Sequence, residues 1–339
     1  MNSESFNENL SVFRTDAWIQ AWLDVWGKSS HICLIDLGGR KNPLEYVYTE
    51  KTLWRKIIPV KQLNLAGVSS AFISSPRAEY NHMNSLINLY GGWIELAQEL
   101  KKYTWQEFVM KDVLQADETL SQFQEMAVPL GAYYYLQKSE PAYQVDTTDF
   151  NYYLSSLGAN TRLAYFNRRK NLQAVGCVEK KSYAPQKAKE FFLLLNKFHV
   201  LRWGRPCYSA DSQKFMINFQ ERLQAQGGEI VMEQLNVNGE AISVIYDVIW
   251  RGRRYNFQSG YLENRFPKIA LGAIHLGYAI EAAVGRGQVY DFMAGGGKNA
   301  NYKVGIANKS IAINSFSLLR QHVKLIRKCY GFLNGSRYR

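Results

Sequence analysis

The sequence predicts a mixed α/β (α+β) fold in two units, and three features of the chain indicate it. Amphipathic helical segments alternate with short strand-like runs along the 339 residues, a length that suits one large domain or two ordinary ones. The composition is globular, because 47% of the residues are hydrophobic and 21% are charged. The charge also changes sign, with 13 Lys and Arg against 18 Asp and Glu in residues 1–150, and 28 against 11 in residues 151–339.

The first unit is expected over residues 1–145 and opens with a helix. Trp18, Trp22 and Trp26 recur at i, i+4 and i+8, which is the spacing of a helical face that packs in a core. Residue patterns then predict strands at 31–37, 44–48, 105–111 and 132–136, and helices at 85–101 and 118–126. The segment 139–143, Ser-Glu-Pro-Ala-Tyr, is interpreted as the boundary between the units.

The second unit is expected over residues 146–339 and contains a series of hairpins. The Asn238-Gly239 dipeptide is typical of a tight turn between two antiparallel strands. The patterns predict helices at 160–172, 184–201, 211–226 and 269–285, and strands at 230–236, 240–250, 254–261 and 289–293. The order is therefore helices, a three-stranded antiparallel meander, a further helix and a last strand.

Cysteine spacing and hydropathy exclude several classes of protein. Cys33, Cys177, Cys207 and Cys329 are widely spaced and form no CxxC pair, so the sequence predicts no metal site, no disulfide framework and a reducing compartment. No signal peptide is recognised, and no apolar run reaches the roughly 18 residues of a membrane helix. We therefore expect a cytoplasmic protein.

The basic second half is expected to meet an anion. The candidates are the phosphates of a coenzyme, an acidic carrier protein, an anionic membrane surface and a nucleic acid such as tRNA. A solvated basic surface without a ligand is the alternative interpretation.

Four motifs occur in a recognisable order between residues 154 and 315. They are the basic stretch 157–172, the segment Phe198-His199-Val-Leu-Arg202-Trp203, the turn Asn238-Gly239-Glu240, and Tyr290-Asp291-Phe292 with Gly295 and Tyr302-Lys303. This set resembles the CelD-like acyltransferases of cellulose and exopolysaccharide biosynthesis, a branch of the GNAT superfamily that is similar to the FemABX peptidyltransferases. Residues 13–26 and 58–60 are similar more loosely. The resemblance implies two tandem GNAT-like units, each with a mixed, mainly antiparallel sheet flanked by helices.

The resemblance also implies an activity. It is N-acyl transfer from an acyl-CoA or acyl-carrier thioester to an amine, carried by a small molecule or a sugar precursor, in polysaccharide or cell-envelope biosynthesis. Acyl-CoA is then a cosubstrate, and no cofactor is bound permanently. Two alternatives stay open: a FemABX-like transferase that uses aminoacyl-tRNA, and a catalytically silent binding protein of a polysaccharide-export system.

The loop before the helix at 269–285 is the expected donor site. In a GNAT core this loop holds the coenzyme pyrophosphate on backbone N–H groups at a helix N-terminus. Arg265 and Lys268 add positive charge there, and Gly272 lets a backbone approach closely. The alternative is a basic turn without a ligand.

The catalytic candidates are Asp291, Tyr302, Lys303 and His199. Asp291, at a strand end beside Gly295, is expected to be exposed in a cleft and to bind or deprotonate the amine, or else to cap the glycine turn. Tyr302 is a candidate proton donor to the leaving thiolate, and Lys303 a cation near the developing charge. Core packing of Tyr302 and a structural hydrogen bond of His199 are the alternatives.

The acceptor is expected near Arg202 and Trp203, with Arg168 facing phosphates. Arg202 can pair with an acceptor carboxylate or with a nearby acid, and the basic stretch around Arg168 can equally be a solvated surface. Cys177 and Cys207 have no recognisable His and acid partners, so a cysteine nucleophile is rejected.

Overall fold

The computed structural model describes residues 11–39, 42–54, 56–115, 118–295, 300–321, 323 and 325. The chain divides into two compact units, of which the first comprises Met1–Glu140 and Ala312–Arg339 and the second Pro141–Ile311. Cys329, Gly296, Gly297 and the Lys298-Asn299 part of the insertion before Tyr302 lie outside the described residues.

The first unit begins with a short 3₁₀ turn (Val12–Arg14) and has a second one at Pro43–Glu45. Its helices are α1 (Asp16–Trp26), α2 (Asn84–Tyr90), α3 (Trp93–Lys101), α4 (Glu118–Glu125) and α5 (Ala127–Leu130). Its strands are β1 (Ile32–Asp36), β2 (Tyr46–Trp54), β3 (Ile58–Leu65), β4 (Glu107–Leu114) and the beginning of β5 (Ala132–Val145). Strands β1, β2 and β3 are antiparallel neighbours, and β4 pairs with β3 in parallel.

Helix α1 forms as its sequence predicts. Thr15 caps its N-terminus, because the hydroxyl oxygen accepts a hydrogen bond from the backbone N–H of Trp18. Trp18, Trp22 and Trp26 are all buried, and the indole of Trp18 donates to the carbonyl of Gly67 at 2.8 Å. The tryptophan stripe is therefore core packing, as expected.

The second unit holds most of the remaining elements. Its strands are β6 (Val178–Ser182), β7 (Glu229–Val237), β8 (Glu240–Trp250), β9 (Arg253–Tyr261) and β10 (Val289–Ala294). Its helices are α6 (Phe150–Ser156), α7 (Ala159–Arg162), α8 (Arg169–Val175), α9 (Ala188–Trp203), α10 (Ala210–Ala225), α11 (Leu271–Gly285) and α12 (Ala300–Ile306), with a 3₁₀ turn at Pro185–Lys187. Strands β6 to β9 are consecutive antiparallel neighbours, while β10 is parallel to β9 and antiparallel to β5.

Both units repeat one topology. Antiparallel strands are followed by helical structure and then by a strand parallel to the last of them, β4 beside β3 and β10 beside β9. The other side of β4 pairs with β11 (Lys309–Arg320), and the other side of β10 pairs with β5, both antiparallel. The predicted mixed α/β fold class, with mixed and mainly antiparallel strand pairing flanked by helices, is confirmed.

The division between the units differs from the sequence-based one at 145/146. Strand β5 passes from the first unit to the second at 140/141, and β11 returns to the first at 311/312. The predicted boundary segment 139–143 lies inside β5. The segment from Ala312 joins the first unit because β11 pairs with β4, a long-range contact that composition and charge do not reveal.

The basic helix predicted at 160–172 is interrupted by a π-helical turn, Leu163–Asn167, between α7 and α8. This turn packs against α11 at Gly277, where a methyl group would collide with the carbonyl oxygen of Tyr165. Arg169, just beyond the turn, stacks on the ring of Tyr278 at 3.8 Å and pairs with Glu281, two residues of α11. The irregular turn thus follows the surface of α11 closely.

Gly277→Ala should destabilise the protein, because the added methyl group meets rigid backbone. Overpacking of this kind costs about 1–3 kcal/mol in unfolding free energy. Gly285→Ala, at the end of the same helix, has no neighbour within 4 Å of its new carbon and should be neutral or stabilising by up to about 1 kcal/mol. Urea unfolding of both variants measures the difference, and equal midpoints would show that α11 shifts without cost.

Candidate active site

Strands β9 and β10 are paired only at their first residues. The parallel register joins Arg253 to Val289, Arg254 to Tyr290 and Tyr255 to Asp291, and no further pair forms between the described residues of these strands. Beyond Asp291 the pairing of β10 with β5 also shifts register, and Met293 adopts a left-handed conformation with φ of 61°. Strand β10 therefore bulges where it parts from β9.

Asp291 is fully buried and bonds to this bulge. Its carboxylate accepts hydrogen bonds from Arg253 Nη1 at 2.9 Å, from Gln144 Nε2 at 3.2 Å and from the backbone N–H of Met293 at 2.7 Å. The expectation that this carboxylate is exposed in a cleft is wrong, because three donors and the surrounding sheet enclose it. Its bond to the Met293 N–H resembles the alternative of a structural cap.

Lys303 bonds to the same bulge from helix α12. Its ammonium donates to three successive carbonyl oxygens, those of Phe292 at 2.8 Å, Met293 at 3.1 Å and Ala294 at 3.0 Å. The residue is buried, with 7% of its surface exposed. The structure therefore brings Asp291 and Lys303 to one segment of main chain.

A second buried ion pair lies beside Asp291. Asp247 on β8 accepts from Arg254 Nε at 2.6 Å, from Asn256 Nδ2 at 2.7 Å and from the hydroxyl of Tyr290 at 3.3 Å. Burial raises the pKa of the Asp247 carboxyl, while the Arg254 guanidinium opposes that rise. These cross-strand bonds tie β8, β9 and the first half of β10 together.

Tyr302 is half-buried, with 39% of its surface exposed. Desolvation raises the pKa of its phenol to about 12, helped by nearby Tyr261 and opposed by the charge of Arg202. The phenol is therefore neutral at physiological pH and can donate a proton.

Arg202, at the end of α9, is the centre of a cluster of aromatic and charged groups. Its guanidinium lies over the rings of Trp203 and Tyr261, at 4.6 Å from each ring centre, and its Nε pairs with Glu263 at 2.6 Å. We call Arg202, Trp203, Tyr261, Glu263 and Tyr302 the Arg202 cluster. The structure thus brings Arg202 and Trp203 together, with the phenol of Tyr302 within range of the charge of Arg202, and adds Tyr261 and Glu263, which the sequence interpretation missed.

Gly272 in the first turn of α11 contacts this cluster. A β-carbon there would lie 2.5 Å from Cε1 of Tyr261, so the glycine makes room for the tyrosine ring. Packing against a ring is thus one reason for the glycine, and the expected close approach of backbone to phosphate stays a prediction. Ala270, the N-cap residue of α11, makes no side-chain hydrogen bond to the helix.

The two predicted donor-site cations lie on the exposed loop before α11. Arg265 forms an ion pair with Glu240, with Nη2 at 2.7 Å from the carboxylate. Lys268 is exposed, has φ of 61° and forms no ion pair with the described residues. Of the two, only Arg265 is paired with an acid within the described part of the chain.

Among the described residues, His199 and Arg168 form no hydrogen bond or ion pair with a member of the cluster. His199 Nε2 donates to the backbone carbonyl of Ser259 at 3.0 Å and so links α9 to β9. Burial lowers the pKa of this imidazole, with a further lowering from Arg202, so the ring is neutral at pH 7. The half-buried guanidinium of Arg168 makes no hydrogen bond or ion pair with a described residue.

The first unit has a comparable bulge in β4, but the loop 66–83 bonds to it. Asp112 there has φ of 53°, and its carboxylate accepts from Arg77 at 2.7 Å. Its backbone carbonyl accepts from the N–H of Asn81 at 3.1 Å, while Lys111 Nζ donates to the carbonyl of Ser69 at 2.6 Å. The first unit therefore holds its bulge with its own loop.

Residues 159–304 match the family model described as the acetyltransferase (GNAT) domain. Over these residues the second unit is similar to a GNAT acetyltransferase domain. The match lies wholly inside Pro141–Ile311 and includes the Arg202 cluster, Asp291 and Lys303. The chain is thus an enzyme of the acyltransferase class, as the sequence predicts. No curated protein matches the sequence.

The chain is also similar in fold to solved structures over nearly its whole length. FemX is 12% identical with a TM-score of 0.54, over 96% of this chain and 99% of that one. L-PGS from Bacillus licheniformis is 10% identical with a TM-score of 0.52, over 96% and 98%. A conserved protein of unknown function from Bacteroides thetaiotaomicron is 11% identical with a TM-score of 0.54, over 94% and 93%. At such identities the likeness is one of fold.

None of the described helices combines the length and the apolar character that a membrane span needs. In the same part of the chain, no group of three or more His, Cys, Asp and Glu side chains is arranged to hold a metal ion.

Asp291→Asn should destabilise the fold strongly, because it leaves Arg253 buried without its counter-charge. Breaking a buried pair in this way costs about 3–5 kcal/mol. Asp146→Asn is the matched control, since Asp146 pairs with Lys309 at 2.8 Å but both side chains are more than a third exposed. That exposed pair should contribute less than about 1 kcal/mol. Unfolding midpoints in urea that move equally in the two variants would argue against a structural role for Asp291.

Proposed function

We propose that the second unit transfers an acyl group from an acyl-CoA or carrier-protein thioester to an amine. The Arg202 cluster is the observation that carries this proposal. The leaving thiolate needs a proton or a positive field, and the cluster combines the neutral phenol of Tyr302 with the fixed charge of Arg202. Tyr302 is accordingly proposed as the general acid.

The donor phosphates are proposed to bind at the N-terminus of α11. The first N–H groups of a helix have no partner within the helix and attract anions. Support comes from the length of α11, which runs from Leu271 to Gly285, from its lack of a side-chain cap, and from exposed Lys268 and Arg265 on the preceding loop. Acyl-CoA then acts as a cosubstrate.

Asp291 and Lys303 are proposed to act through the bulge rather than on the acceptor. Their bonds to the N–H of Met293 and to three carbonyls fix the main chain where β10 leaves β9. His199 is proposed to keep α9 against β9, so that Arg202 stays over Tyr261. Arg168 is proposed as an additional phosphate contact.

The acceptor amine is proposed to bind at Glu263 and Trp203. The carboxylate of Glu263 can accept a hydrogen bond from the amine, and the exposed ring of Trp203 offers a flat apolar face for a sugar ring. An amine on a polysaccharide or envelope precursor fits both groups. This agrees with the resemblance to CelD-like acyltransferases.

An aminoacyl-tRNA donor is the second candidate. The fold likeness to FemX covers both units, and residues 151–339 carry 28 basic against 11 acidic residues. Binding of tRNA would weaken steeply with salt, with a log–log slope near −0.7 per phosphate contacted on single strands and about −0.9 on duplexes. A thioester donor with few phosphates would give a shallow slope.

Tyr302→Phe should lower kcat with little change in KM for the donor, because only the transferable proton is removed. Loss of a general acid typically costs about 10²–10⁴-fold in rate. Since the phenol stays protonated until the pH approaches about 12, the wild-type rate should not fall on its account between pH 7 and 10. Steady-state kinetics from pH 6 to 10 test both points. A variant as fast as wild type would assign proton donation to another group.

Lys268→Ala combined with Arg265→Ala should weaken CoA binding. Each lost charge-assisted hydrogen bond is worth about 1.5–3 kcal/mol, or roughly tenfold or more in Kd. Lys214→Ala, an exposed lysine on α10, is the matched control and should leave Kd unchanged. Titration calorimetry measures the binding of CoA, and filter binding at several salt concentrations measures the binding of aminoacyl-tRNA. Together the two measurements separate the two donors. Binding of either without turnover would favour the silent binding protein.

A further inference from the structure

Helix α9 is apolar on its outer face as well as on its inner one. The inner face packs in the core through Phe191, Phe192, Leu195 and Phe198. On the outer face Leu193, Val200, Leu201 and Trp203 are 58%, 46%, 64% and 55% exposed. Most surface helices keep polar residues on the side away from the core, so this pattern indicates a surface that meets another apolar phase.

The exposed apolar residues form a stripe with lysines between them. At about 100° per residue, Leu193 and Val200 lie almost in line, with Lys189 and Lys197 close to the same line. Leu201 and Trp203 flank this line on either side. Leu193 and Trp203 are ten residues apart, so the stripe is roughly 15 Å long.

The charges around this stripe are net positive. Lys189, Lys197 and Arg205 are exposed. The acids beside the stripe, Glu190 and Glu240, each have another cation as partner, Lys181 at 3.9 Å and Arg265 at 2.7 Å respectively. Aliphatic side chains, a tryptophan and lysines on one helical face are typical of helices that lie in a membrane interface, where the lysine stems cover apolar surface and their charges meet headgroups.

We propose that the outer face of α9, defined by Lys189, Leu193, Lys197, Val200, Leu201 and Trp203, docks on an anionic phospholipid surface. An acidic carrier protein would be attracted by the same cations, but the aliphatic side chains along the stripe favour a continuous apolar phase. Docking would bury Leu193, Val200 and Leu201 below the headgroups and keep Lys189 and Lys197 among the phosphates.

The docked face is continuous with the Arg202 cluster, because α9 ends in Arg202 and Trp203. The cluster would then lie at the membrane interface, where an acceptor amine carried on a lipid could reach it. This last step rests on the proposed function, whereas the docking itself does not.

Co-sedimentation of the full chain with vesicles tests the docking. We expect binding to vesicles of phosphatidylglycerol and phosphatidylcholine in a 1:1 mixture, and at least about tenfold weaker binding to phosphatidylcholine alone. Leu193→Ser with Val200→Ser should lower the affinity for the mixed vesicles by at least about tenfold. Ile94→Ser with Val128→Ser, which removes two exposed apolar side chains of the first unit, is the matched control and should bind as wild type.

Several outcomes would overturn the proposal. They are no binding to the mixed vesicles, equal loss in the control variant, or a dimer in solution that Leu193→Ser with Val200→Ser converts to monomer. Binding of an acidic acyl carrier protein that is lost with Lys189→Glu and Lys197→Glu, in the absence of vesicle binding, would assign the face to a carrier instead. Vesicle binding is measured without turnover, and the proposed function is tested separately by activity on soluble amines with CoA donors. An active chain that does not bind vesicles would contradict the docking alone, and a chain that binds vesicles but is inactive would contradict the proposed function alone.

Discussion

The bulge of β10 depends on two buried charges that bond to main chain. An irregular strand leaves N–H and C=O groups without ladder partners, and each such group costs about 1–3 kcal/mol when buried. Asp291 satisfies the N–H of Met293, and Lys303 satisfies three carbonyls. Because these bonds make the bulge stable inside a sheet, β10 can leave β9 after three paired residues. The separation of the two strands follows from this bonding.

Local signals predicted much of the second unit. Strands β7 to β9, helices α9 to α11 and strand β10 lie close to their predicted positions, because apolar periodicity and the Asn238-Gly239 turn are properties of neighbouring residues. Arg202 and Trp203 were recognised from motifs and do meet, and the charge of Arg202 acts on the phenol of Tyr302. The burial of Asp291 was not predictable in this way, since its partners Arg253 and Gln144 are 38 and 147 residues distant in the chain. A strand-end carboxylate looks the same in sequence whether donors or water surround it.

The two units share one topology but bond to their bulges in different ways. In the first unit, Arg77 and Asn81 of the loop 66–83 bond to the bulge of β4. In the second, the loop after β9 leads directly into α11, and Tyr261 packs on Gly272 at that junction. A glycine at a helix start is a visible signal, but the ring that requires it is eleven residues earlier and was not foreseen. The acidic first half and basic second half agree with this difference.

Strand β11 affects how the first unit folds during synthesis, because it is not continuous in sequence with the rest of that unit. Its residues from Ile313 to Leu319 pair with β4, so the edge of β4 is closed by a segment that is synthesised about two hundred residues later. Until that segment emerges from the ribosome, β4 presents Phe108, Met110 and their unpaired backbone groups at an open edge. Open apolar edges are templates for strand addition between chains. The first half of the polypeptide therefore passes through an aggregation-prone interval that ends only when residues 313–319 have been synthesised.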